Sequence, residues 1–573
     1  MGTISDKLMR IINTKEDIRK ALISKGYDVP TSIPFKEYAK MILDLPCKVD
    51  SFPDIEGIVA RYSASGLTNE QMAANPVWVD KTGNGHDLQL KNFAWKGMSG
   101  VGGYVADIDE WGTNSTAAYF ERNSIKITAT FKENVSLGLL YHNIKLRQSC
   151  VLKVTGIPEG CDAFLDDRLG NRFYMSEDGV YEIIPSNFLA EALYFSIEKY
   201  PERWYGSKLT IEQLPLYPGA LVFDGVDDYG VCENFPILTK EKGYTVVALR
   251  QWDQDFLNTT LTGGLLSTRN YSTGEGVAFE KIESSNKGYW NLGAGGIIDF
   301  AKSPFTWQTS KQYNNVGILK GDKNHGKPLC VGCGLSGGQQ CGRFAIWELV
   351  FLDHDATEEE LTKIKDYFVK TYPWLFPNQA WTVVGKTNED EDRATIANIT
   401  GNGNDLVCLN LGFIEGSGYN EEGEYAGYLV TDGVDDKITS STFEMGNDWT
   451  VIGDWELINT GKNDNAGIVK FNSIVIYNYN PILINIKNGR NNLIPDQNTV
   501  NAICSDGRIY SKDWKESIYN EETESTSKNF LTIGYSGNVY TKIAFKNLAI
   551  YPTVLSREDC IKAYNYLQTL KAK

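Results

Sequence analysis

The chain has 573 residues, and its 56 Lys plus Arg against 73 Asp plus Glu leave a net charge of −17. That excess of carboxylates repels phosphate backbones and anionic lipid, which argues against nucleic-acid binding and against a membrane-surface role. With 42% apolar and 12% aromatic residues there is material for packed cores, so wholesale disorder is excluded, and the length predicts three or four domains at about 150 residues each. The apolar stretch from Phe344 to Leu352 is too short to cross a membrane and is interrupted by Glu348. The opening residues show no basic segment followed by an apolar run, so the expected site of synthesis and assembly is the cytosol.

Residues 1–45 read as two helices. Thr3 with Asp6 makes an N-cap pair, and Leu8, Ile11, Ile12, Ile18 and Leu22 recur near helical spacing. Gly26 ends that helix, Pro30 and Pro34 bracket a turn, and Phe35 to Leu43 forms a second helix. Eight basic and six acidic side chains make the segment slightly positive on an acidic protein. A helix pair this small buries too little to stand alone, and is expected to pack on a partner or on copies of itself.

Beyond it the chain repeats. Thr82-Gly-Asn-Gly-His-Asp-Leu88 returns as Thr400-Gly-Asn-Gly-Asn-Asp-Leu406, 318 residues later. Asp224-Gly-Val-Asp-Asp228 returns as Asp432-Gly-Val-Asp-Asp436, 208 residues later, and Ala345-Ile-Trp-Glu-Leu349 as Ala544-Phe-Lys-Asn-Leu548, 199 residues later. Three motifs in one order define a duplicated domain. The drop in offset from 318 to 208 places an extra segment of 110 residues, roughly Tyr104 to Leu214, inside the first copy. Both copies mix β-branched and aromatic residues between turn signals, as in Tyr244 to Leu249 and Trp449 to Trp455, and each closes on one capped helix, at Thr357 or Ser556. The insert alternates too, at Ser124 to Thr130 and Val180 to Ile184, and reads as a small sandwich.

Of ten cysteines, only Cys330, Cys333 and Cys341 cluster, and a zinc site would need His325 as fourth ligand. The plainer expectation is free, buried thiols, with Cys330 and Cys333 standing where the second copy has Phe530 and Ile533.

Trp78-Val-Asp-Lys-Thr-Gly-Asn-Gly-His-Asp-Leu88, Leu221-Val-Phe-Asp-Gly-Val-Asp-Asp-Tyr229 and Ala345 to Leu361 resemble the laminin-G-like, concanavalin-A-like jelly-roll family. The second copy departs from it at Lys437, where the family has tyrosine, and at Ala397-Asn-Ile399. The expected fold is mainly β, with two such sandwiches, the first interrupted by a smaller one, after a short helical segment. Its divisions are a helical anchor and oligomerisation segment at 1–45, a first sandwich at 56–103 and 215–375, an inserted sandwich at 104–214, and a second sandwich at 377–573. Lys25 to Val29, Phe35 to Lys40, Ser63 to Asn69 and Phe93 to Tyr104 are similar to head- and tail-fibre proteins of tailed phages of gut bacteria, crAss-like phages among them. That resemblance implies a virion appendage assembled in the host cytoplasm, a homotrimer joined to other virion proteins through residues 1–45, and adhesion to host-surface glycan. The alternative is a polysaccharide-binding lectin or glycoside hydrolase on the same fold.

A catalytic assignment does not emerge. The four histidines, His86, His142, His325 and His354, accompany no nucleophile motif, and His86 has Asn404 as its counterpart. The expectation is a protein that is not an enzyme. The family resemblance implies calcium on the rim, and Asp224, Asp227 and Asp228 with Asp432, Asp435 and Asp436 are its candidate ligands, with Asp80 and Asp87 as neighbours. The competing reading is turn chemistry, in which these carboxylates cap backbone N–H groups. For sugar stacking, Trp204, Tyr205 and Trp514 look least core-like.

Overall fold

The computed structural model describes Lys15, residues 52–105 and most of the chain from 112 to 572. Outside the described residues lie the rest of 1–51, 106–111, 114–117, 133–137, 143–149, 167–171, 184–193, 269–277, 282–286, 291–296, 300–304, 310–327, 459–465, 479–482, 487–489, 494–499, 519–530 and gaps of one to three residues. The helix pair expected in 1–45 falls there, as do His325 and Phe530. Among the described residues, no helix is long and apolar enough to cross a membrane.

The protein is mainly β, built from jelly-roll sandwiches. The first copy is organised around Arg343–Leu352, whose nearly unbroken apolar run is buried on both faces. It pairs antiparallel with Thr245–Trp252, with Leu221–Asp224 and with Ile58–Ser63. The facing sheet runs through Val77–Trp78, Leu88–Lys91, Tyr229–Cys232, Leu329–Val331 and Gly263–Ser267. Leu88–Lys91 alternates buried and exposed residues, as a strand with one face on the core should. Tyr62, Phe223, Phe344 and Ile346 of one sheet meet Leu88, Leu90, Leu265 and Val331 of the other in a single core.

The second copy repeats this plan around Ile543–Tyr551, buried throughout. Thr450–Leu457, Leu429–Val430 and Gln379–Thr382 pair with it, in the roles of Thr245–Trp252, Leu221–Asp224 and Ile58–Ser63. Register makes the equivalence residue by residue. Tyr62 faces Leu349 and Ser63 faces Glu348, while Trp381 faces Leu548 and Thr382 faces Asn547. Even the bulge is duplicated. Pairing skips Trp347 opposite Leu249/Arg250 and Lys546 opposite Asp454/Trp455. The skipped Trp347 donates from Nε1 to the Pro218 carbonyl and sits edge-on to Tyr566, whose hydroxyl donates to Gln251 Oε1 at 3.3 Å. Tyr566 belongs to the closing helix of the second copy, Arg557–Gln568, so buried side chains tie the two sandwiches together.

Between the two halves of the first copy, Cys150–Thr155, Gly179–Ile183, Lys208–Gln213, Lys126–Phe131 and Ala118–Arg122 form one sheet. Arg172–Met175, Asp162–Asp166, Tyr194–Glu198 and Gly138–Leu139 form another. Ile127, Leu152, Leu165, Ile197 and Trp204 share a core of their own. Each closing helix is capped as its sequence predicts. Thr357 Oγ1 accepts from Glu360 N–H while Glu360 accepts from Thr357 N–H, and Ser556 Oγ accepts from Asp559 N–H at 3.1 Å.

Candidate functional site

Each sandwich carries the same two braced turns. In the first, Asp224 Oδ1 accepts from Val226 N–H at 2.7 Å, and Asp228 Oδ2 accepts from Asp224 N–H at 3.0 Å. Ser99 Oγ donates to Asp228 Oδ1 at 2.9 Å, and Asn92 Nδ2 donates to the Asp227 carbonyl at 3.0 Å. The second copy reproduces the set. Val434 N–H donates to Asp432 Oδ1, Asp432 N–H and Ser417 Oγ to Asp436 Oδ2, and Asn410 Nδ2 to the Asp435 carbonyl. Asp224, Asp228, Asp432 and Asp436 thus each use a carboxylate oxygen to close the turn, as the turn-chemistry reading expects. Asp436 Oδ1 differs: it is buried and has no hydrogen-bond partner among the described residues.

Within each trio, one carboxylate oxygen per residue lies within 4.8 Å of the others. Burial first, and then the charge of Asp224, push the Asp228 carboxyl up to about 7, and burial raises Asp436 too. Asp80 and Asp87 are not brought to this turn. They brace the neighbouring one, where Asp80 Oδ1 accepts from Arg61 N–H and Thr82 N–H and Asp87 Oδ1 accepts from Asp80 N–H. Asn398 replaces Asp80 in the second copy and accepts from Thr400 N–H in the same way. Motif matching missed Asn92, Ser99, Asn410 and Ser417, although the offset of 318 residues that relates the Gly-Asn-Gly turns relates these pairs too.

The Gly-Asn-Gly turn of the first copy borders a cavity of about 360 Å³. Asn84, His86, Ile237, Leu238, Lys242 and Asp353 are among its lining. Asn84 Nδ2 donates to the Val59 carbonyl at 2.9 Å, and Asn234 Nδ2 reaches back to the Gly85 carbonyl at 3.1 Å, pinning the 234–238 loop to the turn. The His86 ring meets Phe235 edge-on at 5.9 Å, and its Nδ1 is buried with no partner among the described residues. Asp353 Oδ1 stands 3.3 Å from His354 Nδ1, and Glu360 Oε1 stands 3.2 Å from His354 Nε2. Burial disfavours the His354 cation, but those bonds outweigh it and raise its pKa. Position 57 favours glycine because its φ of +80° lies in the left-handed region, and an added Cβ, 2.4 Å from Asp353 Oδ1, would also push that carboxylate aside.

Two of the three aromatic candidates belong to the core. Trp204 is fully buried against the Phe131 ring at 5.0 Å. Trp514 is 1% exposed between Tyr510 and Tyr564. The polar residues flanking Trp514 in sequence concealed its contact with Tyr564 of the closing helix. Tyr205 is exposed, at 56%.

The cysteine expectations also change. Cys330 and Cys333 are disulfide-bonded, with the buried Cys341 packed beside them. Val331 and Ile533 occupy the same register against the preceding strand, opposite Gly230 and Ile438, which aligns Cys330 with Thr532 and Cys333 with Tyr535. Cys333 faces Cys341 across a hairpin where the second copy sets Tyr535 opposite Tyr540. The expected alignment with Phe530 and Ile533 was two residues out, because it assumed one constant offset through a loop of different length.

Neither a protein-family model nor a curated protein matches the chain. Among solved structures it is similar to the Trypanosoma rangeli sialidase in complex with sialic acid, at 7% identity and a TM-score of 0.25, over 78% of this chain and 83% of that one. It is also similar to the botulinum neurotoxin type G receptor-binding domain, at 12% identity and a TM-score of 0.22, over 33% of this chain and 50% of that one. A third likeness is the HCR/D F1240A mutant, at 10% identity and a TM-score of 0.23, over 59% and 88%. Scores this low carry neither a function nor a site across to this chain.

Proposed function

We propose that the chain is a structural virion protein, a fibre or appendage subunit that adheres to host-surface glycan. Residues 1–45 join it to other virion proteins and to its own copies as a homotrimer, and the sandwiches are displayed outward. The observation that carries the reading is the duplication: one chain builds the same braced rim twice, on sandwiches tied together through Tyr566, Gln251 and Trp347. Repeated rims on a trimer turn weak contacts into useful avidity. The resemblance of segments between Lys25 and Tyr104 to fibre proteins of tailed phages supplies the virion part. Mass spectrometry of purified particles tests it, with the chain expected in virions and lost from them when residues 1–45 are deleted. Absence from particles refutes the reading, and release of reducing ends from host polysaccharide by the purified chain refutes a purely adhesive role.

Calcium belongs to the same proposal at the second Asp turn. There Asp436 Oδ1, buried and with no hydrogen-bond partner among the described residues, stands with Asp432 and Asp435 and offers oxygen to a hard cation. Calcium is expected to raise the melting temperature of the full chain but not of Asp436→Asn; an unchanged melting temperature in the unsubstituted chain removes calcium from the proposal.

A further inference from the structure

The cavity beside the Gly-Asn-Gly turn is lined by both apolar and polar side chains. Ile237, 56% exposed, and Leu238 are among its apolar lining. Asn84, His86, Lys242 and Asp353 add residues that carry amide, imidazole, ammonium and carboxylate groups. At about 360 Å³ it falls at the lower end of the range of small-molecule sites, about 300–1,000 Å³. Its walls are held before any ligand arrives: Asn84 is tied to Val59, the 234–238 loop to Gly85, and the turn to Asp80.

A pyranose ring presents both kinds of surface, with C–H groups over one face and hydroxyls around its edge. We infer that this cavity is a saccharide site that seats a single sugar residue, its C–H face on Ile237 and Leu238 and its hydroxyls toward Asn84, His86 and Asp353.

The second copy does not offer the same site. Asn404, the counterpart of His86, lies in the left-handed region at φ 65°. Its Oδ1 accepts from Ser441 Oγ at 2.7 Å, so the group that would meet a ligand is already occupied. The inference rests on the adhesion reading for its ligand class and narrows it to one cavity on one sandwich.

The test is saturation-transfer NMR and calorimetry on the full chain, with methyl glycosides of a neutral hexose, an N-acetylhexosamine and a hexuronic acid as probes. At least one probe is expected to bind. His86→Asn, which installs the residue the second copy uses, and Ile237→Arg, which places a charge at an exposed position, should each weaken it about tenfold or more. Neither should shift the melting temperature, so lost binding is not lost folding. If none of the probes binds, the inference is overturned. If binding survives both substitutions undiminished, this cavity is not the site, while adhesion through another surface stands. Particle association, measured separately, decides the virion reading independently of either result.

Discussion

Arg61 and Glu348 form an ion pair inside the first sandwich that the second sandwich does without. Arg61 is 4% exposed and Glu348 fully buried. Arg61 Nε and Nη2 reach the two Glu348 oxygens at 3.1 and 3.3 Å, and the Tyr372 hydroxyl donates to Oε1 at 2.8 Å. Burial raises the Glu348 pKa, and Arg61 is the main opposing influence. By register, Ala380 and Asn547 occupy these two positions in the second copy. Arg61→Ala alone strands a buried carboxylate and should cost about 3–5 kcal/mol, and Glu348→Asn alone strands a buried guanidinium at similar cost. The double variant strands neither and copies a pairing this fold already accommodates. It should cost less than the sum of the singles by about 2 kcal/mol or more. Urea unfolding of the four proteins measures the coupling. The deficit of Arg61→Ala should also shrink as the pH falls, because protonated Glu348 no longer needs its partner. Additive costs, or a pH-independent deficit, would refute the argument.

Asp228 gives a second pH dependence. Its folded pKa, raised from 3.8 to about 7, means that its contribution to stability is fully present below about pH 4 and lost as the pH rises through 7. At about 1.4 kcal/mol per pH unit the span is at most about 4 kcal/mol. Asp228→Asn should flatten that part of the stability profile, and an unchanged profile counts against the assignment. Trp514→Ala should cost about 3–5 kcal/mol in chemical denaturation, as for other buried aromatics, whereas Tyr205→Ala should stay within about 0.5 kcal/mol. Equal effects would contradict the burial of one and the exposure of the other. Thr357→Ala, which removes half of a capping box, should cost about 1 kcal/mol by the same assay. In denaturant without reductant, Cys330 and Cys333 should escape alkylation and react only after reduction; labelling at the first step would show that they are free thiols.

What the sequence determined by itself was the repetition and its local consequences. Asp-Gly-Val-Asp-Asp and Thr-Gly-Asn-Gly are contiguous, their hydrogen bonds run mostly between near neighbours, and so their turns could be read before any strand was placed. The helix caps at Thr357 and Ser556 were legible for the same reason. Burial was not. Trp204 and Trp514 sit in polar sequence, yet Phe131 from a strand and Tyr564 from the closing helix pack on them. The Cys330 alignment slipped because the offset between copies changes inside loops, and cross-strand pairing is what ties Val331 to Ile533. The cavity was least visible of all. Its lining comes from four separate stretches, around Val59, His86, Ile237 and Asp353, and the fold alone brings them together. A turn is fixed by interactions across a few bonds, whereas a core or a cavity is fixed by residues hundreds of positions apart, whose meeting only the tertiary structure decides.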